Sequence, residues 1–353
     1  MYGRGDSNPH TSRYQILSLA RLPIPPRPYA HKGRKDSPEG GSVRRCHRAI
    51  TFASRSMERF DPAQLSIPEL HGHLVGAIGP RPIALASTID ADGRPNVSPF
   101  SFFNVFGANP PLMIFSPARR GRDNTTKHSY HNVKAVPEVV INVVTYSMVH
   151  QISLASTEFA EGVNEFEKAG LTPIASEKVK PFRVKESPVQ FECVVRQVIE
   201  TGTGGAAGNL VICEVVMIHI DPAVMTDGKI DQRKIDLIGR MGGYFYARAH
   251  GDALFELAQP TTKIGVGVDS LPKEARLSTT LTGSDLGKLG AILAVPDETA
   301  VNEYKLTELS DTFIERQGDR DALLYALHQH AHDLLQQDRV EEAWKTLLAF
   351  NAH

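Results

Sequence analysis

A basic, hydroxyl-rich segment at residues 116–129 has the residue types that could bind an anion. It combines three arginines with Lys127 and with several serine and threonine hydroxyls, and it leads into a predicted helix. Cationic side chains, hydroxyls and a helix N-terminus all favour a phosphate group. The segment therefore indicates a phosphate site, although a solvated basic loop beside a core hairpin would have the same composition.

Residues 96–104 place asparagine and serine side chains beside a proline and three phenylalanines. Apolar and aromatic residues next to a few polar groups suit a planar heteroaromatic ring with polar edges. Together with the basic segment, this stretch suits a phosphorylated aromatic cofactor.

Other motifs are less specific. Residues 202–207 formally match the dinucleotide fingerprint, but that motif must open a helix, and residues 209–220 are β-branched and strand-like. His328 and His332 share a helix face without the Glu of a zinc protease, so a polar helix face is the better interpretation. The sequence has neither a Gly-x-Ser-x-Gly elbow nor a P-loop. The hydrolase and P-loop interpretations therefore lack their anchor motifs, catalytic residues stay unassigned, and we expect no metal site.

The elements that must position these residues are mostly strands. Apolar periodicity and turn residues predict a short helix over 66–75, a second helix over 125–135, and the strands 82–88, 94–103, 112–116, 139–145, 189–200 and 210–220. Strands 82–88 and 94–103 form one predicted hairpin. The last two strands form another, with a flexible tip, and contain Cys193 and Cys213 as buried thiols.

The pattern changes after residue 221. Residues 236–247 are predicted to be a loop or short helix that holds aromatic side chains, and residues 261–272 to be loop or short strand. Residues 320–335 and 340–350 read as two amphipathic helices. We therefore predict a β-rich body at residues 58–250 and a partly helical C-terminal extension at 251–353.

Composition excludes several classes of protein. The chain has 353 residues, a net charge of −1 and 41% hydrophobic residues, which is ordinary for a globular protein. With no excess charge, we expect neither nucleic acid nor a membrane as a partner. Three scattered cysteines indicate neither a disulfide framework nor structural zinc.

Residues 1–57 hold eleven Lys and Arg against three acids and are rich in Pro, Gly and Ser. This composition predicts a disordered basic extension that is dispensable for folding. We expect a cytoplasmic protein whose translation starts at Met57. Organellar targeting by this extension is the alternative.

The order and spacing of these segments resemble the flavin reductase-like, FMN-binding split-barrel family over residues 58–250. The resemblance rests on Arg81 to Thr88, Asn96 to Asn104, Pro110-Pro111 and the Lys127 cluster, and it continues through residues 165–172 and 186–193. One departure is His128, because the family commonly has Asp at this position.

The resemblance implies a mainly β fold: an antiparallel, six-stranded Greek-key split barrel with peripheral helices, usually a homodimer with FMN near the subunit interface. It implies that one set of residues lines the flavin ring and ribityl chain: Ile83, Ala84, Ser87, Thr88, Asn96, Ser98, Ser101, Phe102 and Phe103. It implies that a second set lies near the phosphate: Arg119, Arg122, Lys127 and Ser129. The apolar strands at 139–144 and 211–216 are expected to need the second copy as cover.

The same resemblance implies an FMN-dependent oxidoreductase that takes hydride from NADH or NADPH. The cofactor carries this chemistry, so no side-chain acid or base is obligatory. Two alternatives remain open: a non-catalytic FMN-binding or electron-transfer protein, and an FMN-dependent reductase or oxidase of another small molecule.

Overall fold

The computed structural model describes residues 57–160, 162–257 and 264–351. The predicted basic extension, with Cys46, lies outside the described residues apart from Met57. The strands are β1 (Ala84–Ile89), β2 (Pro95–Phe100), β3 (Phe103–Ala108), β4 (Pro111–Phe115), β5 (Glu138–Val143), β6 (Pro173–Ile174), β7 (Arg183–Val184), β8 (Val189–Glu200), β9 (Asn209–Ile220), β10 (Met225–Thr226), β11 (Lys229–Ile230), β12 (Leu237–Arg240) and β13 (Tyr246–Ala249).

The helices are α1 (Ile67–Ala77), α2 (His128–Ala135), α3 (Val149–Ala155), α4 (Glu165–Ala169), α5 (Lys273–Arg276), α6 (Gly283–Gly290), α7 (Glu298–Thr307), α8 (Ser310–Glu315), α9 (Arg320–Gln336) and α10 (Val340–Ala349). The predicted helices at 66–75, 320–335 and 340–350 are confirmed. None of the helices in the described ranges is long and apolar enough to cross a membrane.

Seven strands form one antiparallel sheet in the order β2-β1-β5-β8-β9-β4-β3. The prediction of six strands was wrong, because the expected strand at 94–103 is two strands, β2 and β3, which stand at opposite edges. Only Ser101 and Phe102 join these two edges. The sheet must therefore curve until its edges approach each other, although β2 and β3 do not pair and the barrel is not closed by hydrogen bonds.

The two faces of the sheet bury two hydrophobic clusters. In β1, Leu85 packs in one cluster with α3 and α4, whereas Ala84 and Ala86 pack in the other, as the two-residue period of a strand requires. Cys193 and Cys213 are both buried and free in the second cluster, which confirms them as structural thiols. Burial raises the pKa of Cys193 to about 12, so this thiol is inert at neutral pH.

The region at 264–351 has a hydrophobic cluster of its own, centred on Trp344, whose indole N–H donates to the Leu289 carbonyl at 2.8 Å. Helices α5 to α8 were not predicted. Their start signals are local, for example the Thr282–Asp285 capping box of α6 and the Asp297 cap of α7. Helices α5 and α8, with four and six residues, are too short for a visible apolar period.

A second correction concerns residues 236–247. This stretch is not a loop or short helix, because β12 and β13 form an antiparallel hairpin that pairs Leu237 with Ala249 and Arg240 with Tyr246. Arg81 forms a bridge with Arg240, which joins this hairpin to the chain just before β1. The hairpin is thereby positioned to form one wall of the site described below.

Candidate functional site

The predicted phosphate segment is a folded loop at residues 117–127, here called the basic loop. The Arg119 guanidinium donates to the Asn124 side chain and to its carbonyl, both at 2.7 Å, and Arg120 donates to the Thr126 carbonyl at 2.6 Å. Asn124 has a φ of 59°, in the left-handed region that asparagine tolerates. These bonds hold the loop in a compact shape and lead it into α2, which begins at His128, three residues after the predicted start at 125.

The tip of the β8–β9 hairpin packs on this loop and is not the free, flexible tip that its glycines suggested. The backbone N–H of Arg119 donates to the Ala207 carbonyl at 2.9 Å, and that of Ala206 donates to the Arg119 carbonyl at 3.1 Å. A Cβ on Gly205 would lie 3.2 Å from the Gly121 carbonyl oxygen, so a larger residue would press the two backbones slightly apart. The glycine-rich stretch therefore supports the basic loop, and it opens no helix.

A cavity of about 860 Å³, here called the basic cavity, lies between this loop, α1, the β2–β3 connection and the β12–β13 turn. Among the described residues that line it, Glu158 is the single carboxylate. Six cationic side chains line it: Arg81, Arg119, Arg120, Arg122, Lys127 and Arg240. Phe100, Phe102 and Met241 supply apolar surface. The cavity thus joins a strongly positive wall to an aromatic one.

The cations of this cavity are not equivalent. Glu158 pairs with Arg120 at 2.9 Å and with Arg122 at 2.6 Å, and these hydrogen bonds lower the pKa of Glu158. The Lys127 ammonium has no hydrogen bond or ion pair within the part of the chain that the structure describes, and its Nζ lies 5.7 Å from the Phe100 ring centroid. Burial, together with the charge of Arg120, lowers the pKa of Lys127. Lys127 is therefore a half-buried cation that an anion would stabilise.

Arg81 closes the opposite wall. It is 8% exposed and donates to the carbonyls of Val75 (2.7 Å) and Ile78 at the end of α1, and to that of Met241 (3.0 Å). Burial and the nearby Arg240 lower its pKa. The sequence contained Arg81 as the first residue of a motif, but no local pattern indicated that it anchors α1 to the β12–β13 turn.

The structure places some of the predicted site residues on the basic cavity and others in or beside the core. Five line the basic cavity: Ser101, Phe102, Arg119, Arg122 and Lys127. Ile83, Ala84 and Ser87 are buried in or beside the core, and Ser98 and Phe103 are half-buried. Lining residues that were not predicted include Arg120, which stands inside the predicted segment, and Arg240 and Met241 of the unpredicted hairpin.

Thr88, Asn96 and Ser129, which were predicted to lie near the ring or the phosphate, are joined by hydrogen bonds among their side chains. The side-chain oxygen of Asn96, Oδ1, accepts from Ser129 Oγ at 2.9 Å and from Thr88 Oγ1 at 3.3 Å. Its side-chain nitrogen, Nδ2, donates to Glu165 Oε1 at 2.7 Å. Asn132 donates to Thr88 Oγ1 at 3.0 Å. This buried network ties β1 and β2 to α2 and α4, and it therefore holds the helix that follows Lys127.

Comparison with known proteins agrees with this architecture. Residues 77–234 match the model of the flavin reductase like domain. An uncharacterized protein of Aquifex aeolicus is 36% identical over 184 residues, which are 52% of this chain and 91% of that protein. This chain belongs to the flavin reductase-like family.

Two solved structures share the fold of this flavin reductase-like chain. Nitrilotriacetate monooxygenase component B from Bacillus cereus is 30% identical, with a TM-score of 0.54 over 58% of this chain and all of that one. The 2-nitrobenzoate 2-nitroreductase of Pseudomonas fluorescens is 23% identical, with a TM-score of 0.53 over 60% of this chain and all of that one. The match to the family model ends at residue 234, before the region at 251–353.

Proposed function

We propose that this protein is an FMN-binding oxidoreductase that uses NADH or NADPH to reduce flavin. The observation that carries the proposal is the basic cavity, in which the unpaired Lys127 lies beside aromatic side chains. A volume of about 860 Å³ is within the range of small-molecule and cofactor sites, roughly 300–1,000 Å³. Family membership supports a flavin as the ligand.

The donor set fits a phosphorylated flavin. Lys127 would hold the phosphate, since its ammonium pairs with no carboxylate within the described ranges, whereas Arg122 is engaged by Glu158. Phe102 and Met241 would cover the ring, and Arg81 and Arg240 add positive charge at the other wall. A bound flavin supplies the hydride-accepting chemistry. The protein's own residues bind it, orient it and keep water from part of its surface.

The first test is a ligand comparison with the purified full-length protein. We expect it to be yellow and to bind FMN at least ~100-fold more tightly than riboflavin, because two or three charge-assisted hydrogen bonds contribute roughly 1.5–3 kcal/mol each. Fluorescence titration with both ligands measures the ratio. Equal affinities would remove the phosphate assignment.

Consumption of NADH and NADPH, with and without added free flavin, tests the reductase activity. We expect oxidation that free flavin accelerates. FMN binding without any oxidation of either nucleotide would instead favour a non-catalytic FMN-binding or electron-transfer protein.

We also propose a homodimer. Val139, Val140 and Ile141 are buried, so β5 offers no exposed apolar face, whereas Val216 of β9 is 38% accessible. The edge strand β3 is more exposed, with Val105 61% and Phe106 63% accessible. An apolar edge of this kind invites pairing.

The homodimer has its own test. We expect sedimentation to show a dimer of the 38.7 kDa chain, and Phe106→Lys to shift it toward monomer by adding a charge at the edge. A wild-type monomer that still holds FMN would contradict the proposal.

A further inference from the structure

A second cavity of about 720 Å³ adjoins the basic cavity, and Arg119 lines both. Strand β2 runs along the two, because Asn96 lines the second cavity and Phe100 the basic one. At about 3.3 Å per residue, these positions are ~13 Å apart. One extended ligand, or two neighbouring ligands, could therefore occupy both cavities.

The second cavity has a polar group without a partner at its buried end. Glu165 is 3% exposed, and its Oε1 accepts from Asn96. Its Oε2 has no hydrogen-bond partner among the residues that the structure describes, although the side chain lines the cavity. Buried polar groups are almost always satisfied, so an unpartnered carboxylate oxygen beside a cavity indicates a ligand that donates a hydrogen bond.

The backbone N–H groups of Glu165 and Val97 lie near enough to lower the pKa of the carboxyl, but neither forms a hydrogen bond with Oε2 in the described structure. The Asn96 amide is already committed to Oε1, and its carbonyl accepts from Ser129 and Thr88. Burial raises the pKa of Glu165, while hydrogen bonds from its own backbone N–H and from the Asn96 amide, and the nearby His128, oppose that effect. Once the pH exceeds this raised pKa, the deprotonated side chain accepts hydrogen bonds and donates none.

The outer part of the second cavity favours an anion, whereas the part beside Glu165 favours a hydrogen-bond donor. Arg119 lines it without a carboxylate partner in the described ranges, and His131, bonded to Thr126 at 2.6 Å, stands beside it. Asp90 also lines the cavity, but its carboxylate pairs with Arg94 at 2.6 Å, so Arg119 and His131 still suit an anion. The cavity therefore favours a ligand with an N–H donor at one end and a phosphate at the other.

We propose that the second cavity binds the adenylate half of the nicotinamide co-substrate, with the adenine amino group donating to Glu165 Oε2 and a phosphate facing Arg119. This inference rests on the proposed function. Hydride transfer requires the nicotinamide beside the flavin in the basic cavity. The remote half of the dinucleotide must then extend outward, and the second cavity adjoins through Arg119.

The test compares AMP with purine riboside 5′-monophosphate, which lacks only the 6-amino group, by calorimetry at pH 8 on full-length protein saturated with FMN. We expect AMP to bind about 10- to 100-fold more tightly, the effect of one hydrogen bond to a charged acceptor. Glu165→Gln should abolish this preference. Its amide oxygen is needed by Asn96, so its NH₂ would face the amino group of AMP.

Glu167→Gln is the matched control. Glu167 lies on the same helix but is exposed, so the preference for AMP should remain. FMN affinity should be unchanged in both variants, which shows that they are folded. Equal binding of the two nucleotides to the wild type, or displacement of AMP by FMN, would overturn the inference.

Different results would contradict the proposed function and the assignment of the second cavity. A protein that binds no FMN contradicts the proposed function, and with it the assignment of this cavity to a co-substrate. A protein that binds FMN but does not distinguish AMP from its deamino analogue contradicts the second inference alone.

Discussion

Lys127→Ala is expected to weaken FMN binding by about 10- to 100-fold, or ~1.4–2.8 kcal/mol, and to leave riboflavin binding nearly unchanged. The lysine is half-buried at the start of α2, and it pairs with no carboxylate in the described structure. Its ammonium therefore gains more from a phosphate than an already paired cation would. Arg119 and Arg120 remain nearby, so the loss is partial.

Lys134→Ala is the matched control for this variant. Lys134 lies near the end of α2, seven residues after Lys127. It pairs with Glu200 at 3.0 Å on the surface and lines neither cavity. Its loss should change FMN affinity by less than ~2-fold. If Lys127→Ala binds FMN as the wild type does, the phosphate site lies elsewhere. If FMN and riboflavin weaken equally, Lys127 serves the ring or the fold.

The local parts of this molecule could be predicted from its sequence. The helix that begins after Lys127 follows from a hydroxyl-rich turn and an apolar period, and the paired strands β8 and β9 follow from two runs of β-branched residues. The division between β2 and β3 could not be seen. Both strands are apolar, and only the pairing of β3 with β4 at the far edge shows that they are separate.

The site was harder to predict because its residues are distant in sequence. The polar side chain of Asn96 suits a ligand contact, but its amide nitrogen donates to Glu165, which lies 69 residues later in the sequence. Likewise, Arg240 reaches the basic cavity through the β12–β13 hairpin and its bridge to Arg81. Such contacts depend on strand register and on the curvature of the sheet, which no short segment encodes. The family resemblance supplied residue types at each position, but not which of them face a cavity.

The largest expected effect on stability is at Glu192 in β8. This side chain is fully buried and accepts backbone N–H groups from Glu177 (2.9 Å), Lys178 (2.6 Å) and Val179 (3.2 Å), together with His219 Nε2 at 2.7 Å. Burial alone would raise its pKa, but the N–H groups of Glu177 and Lys178 and the His219 ring outweigh that effect and lower it. The carboxylate therefore fastens the segment before β7 to the sheet.

Glu192→Ala leaves these donors without an acceptor and should cost about 3 kcal/mol or more at neutral pH. At about 2–4 °C per kcal/mol, the melting temperature should fall by roughly 6–12 °C in scanning calorimetry. Glu200→Ala is the control on the same strand. Glu200 is exposed and pairs with Lys134 at the surface, so its loss should cost less than ~1 kcal/mol.

The pH dependence of the difference in melting temperature distinguishes the loss of hydrogen bonds to the carboxylate from the loss of side-chain packing. A carboxyl whose pKa is lower in the folded protein contributes stability above its ordinary pKa, and that contribution disappears as the pH falls through the folded value. The gap in melting temperature between wild type and Glu192→Ala should therefore narrow progressively below about pH 4.5. A gap that stays constant down to acid pH would assign the loss to the cavity left in β8. A gap smaller than ~2 °C at pH 7 would show that the segment at 177–179 is held by other contacts.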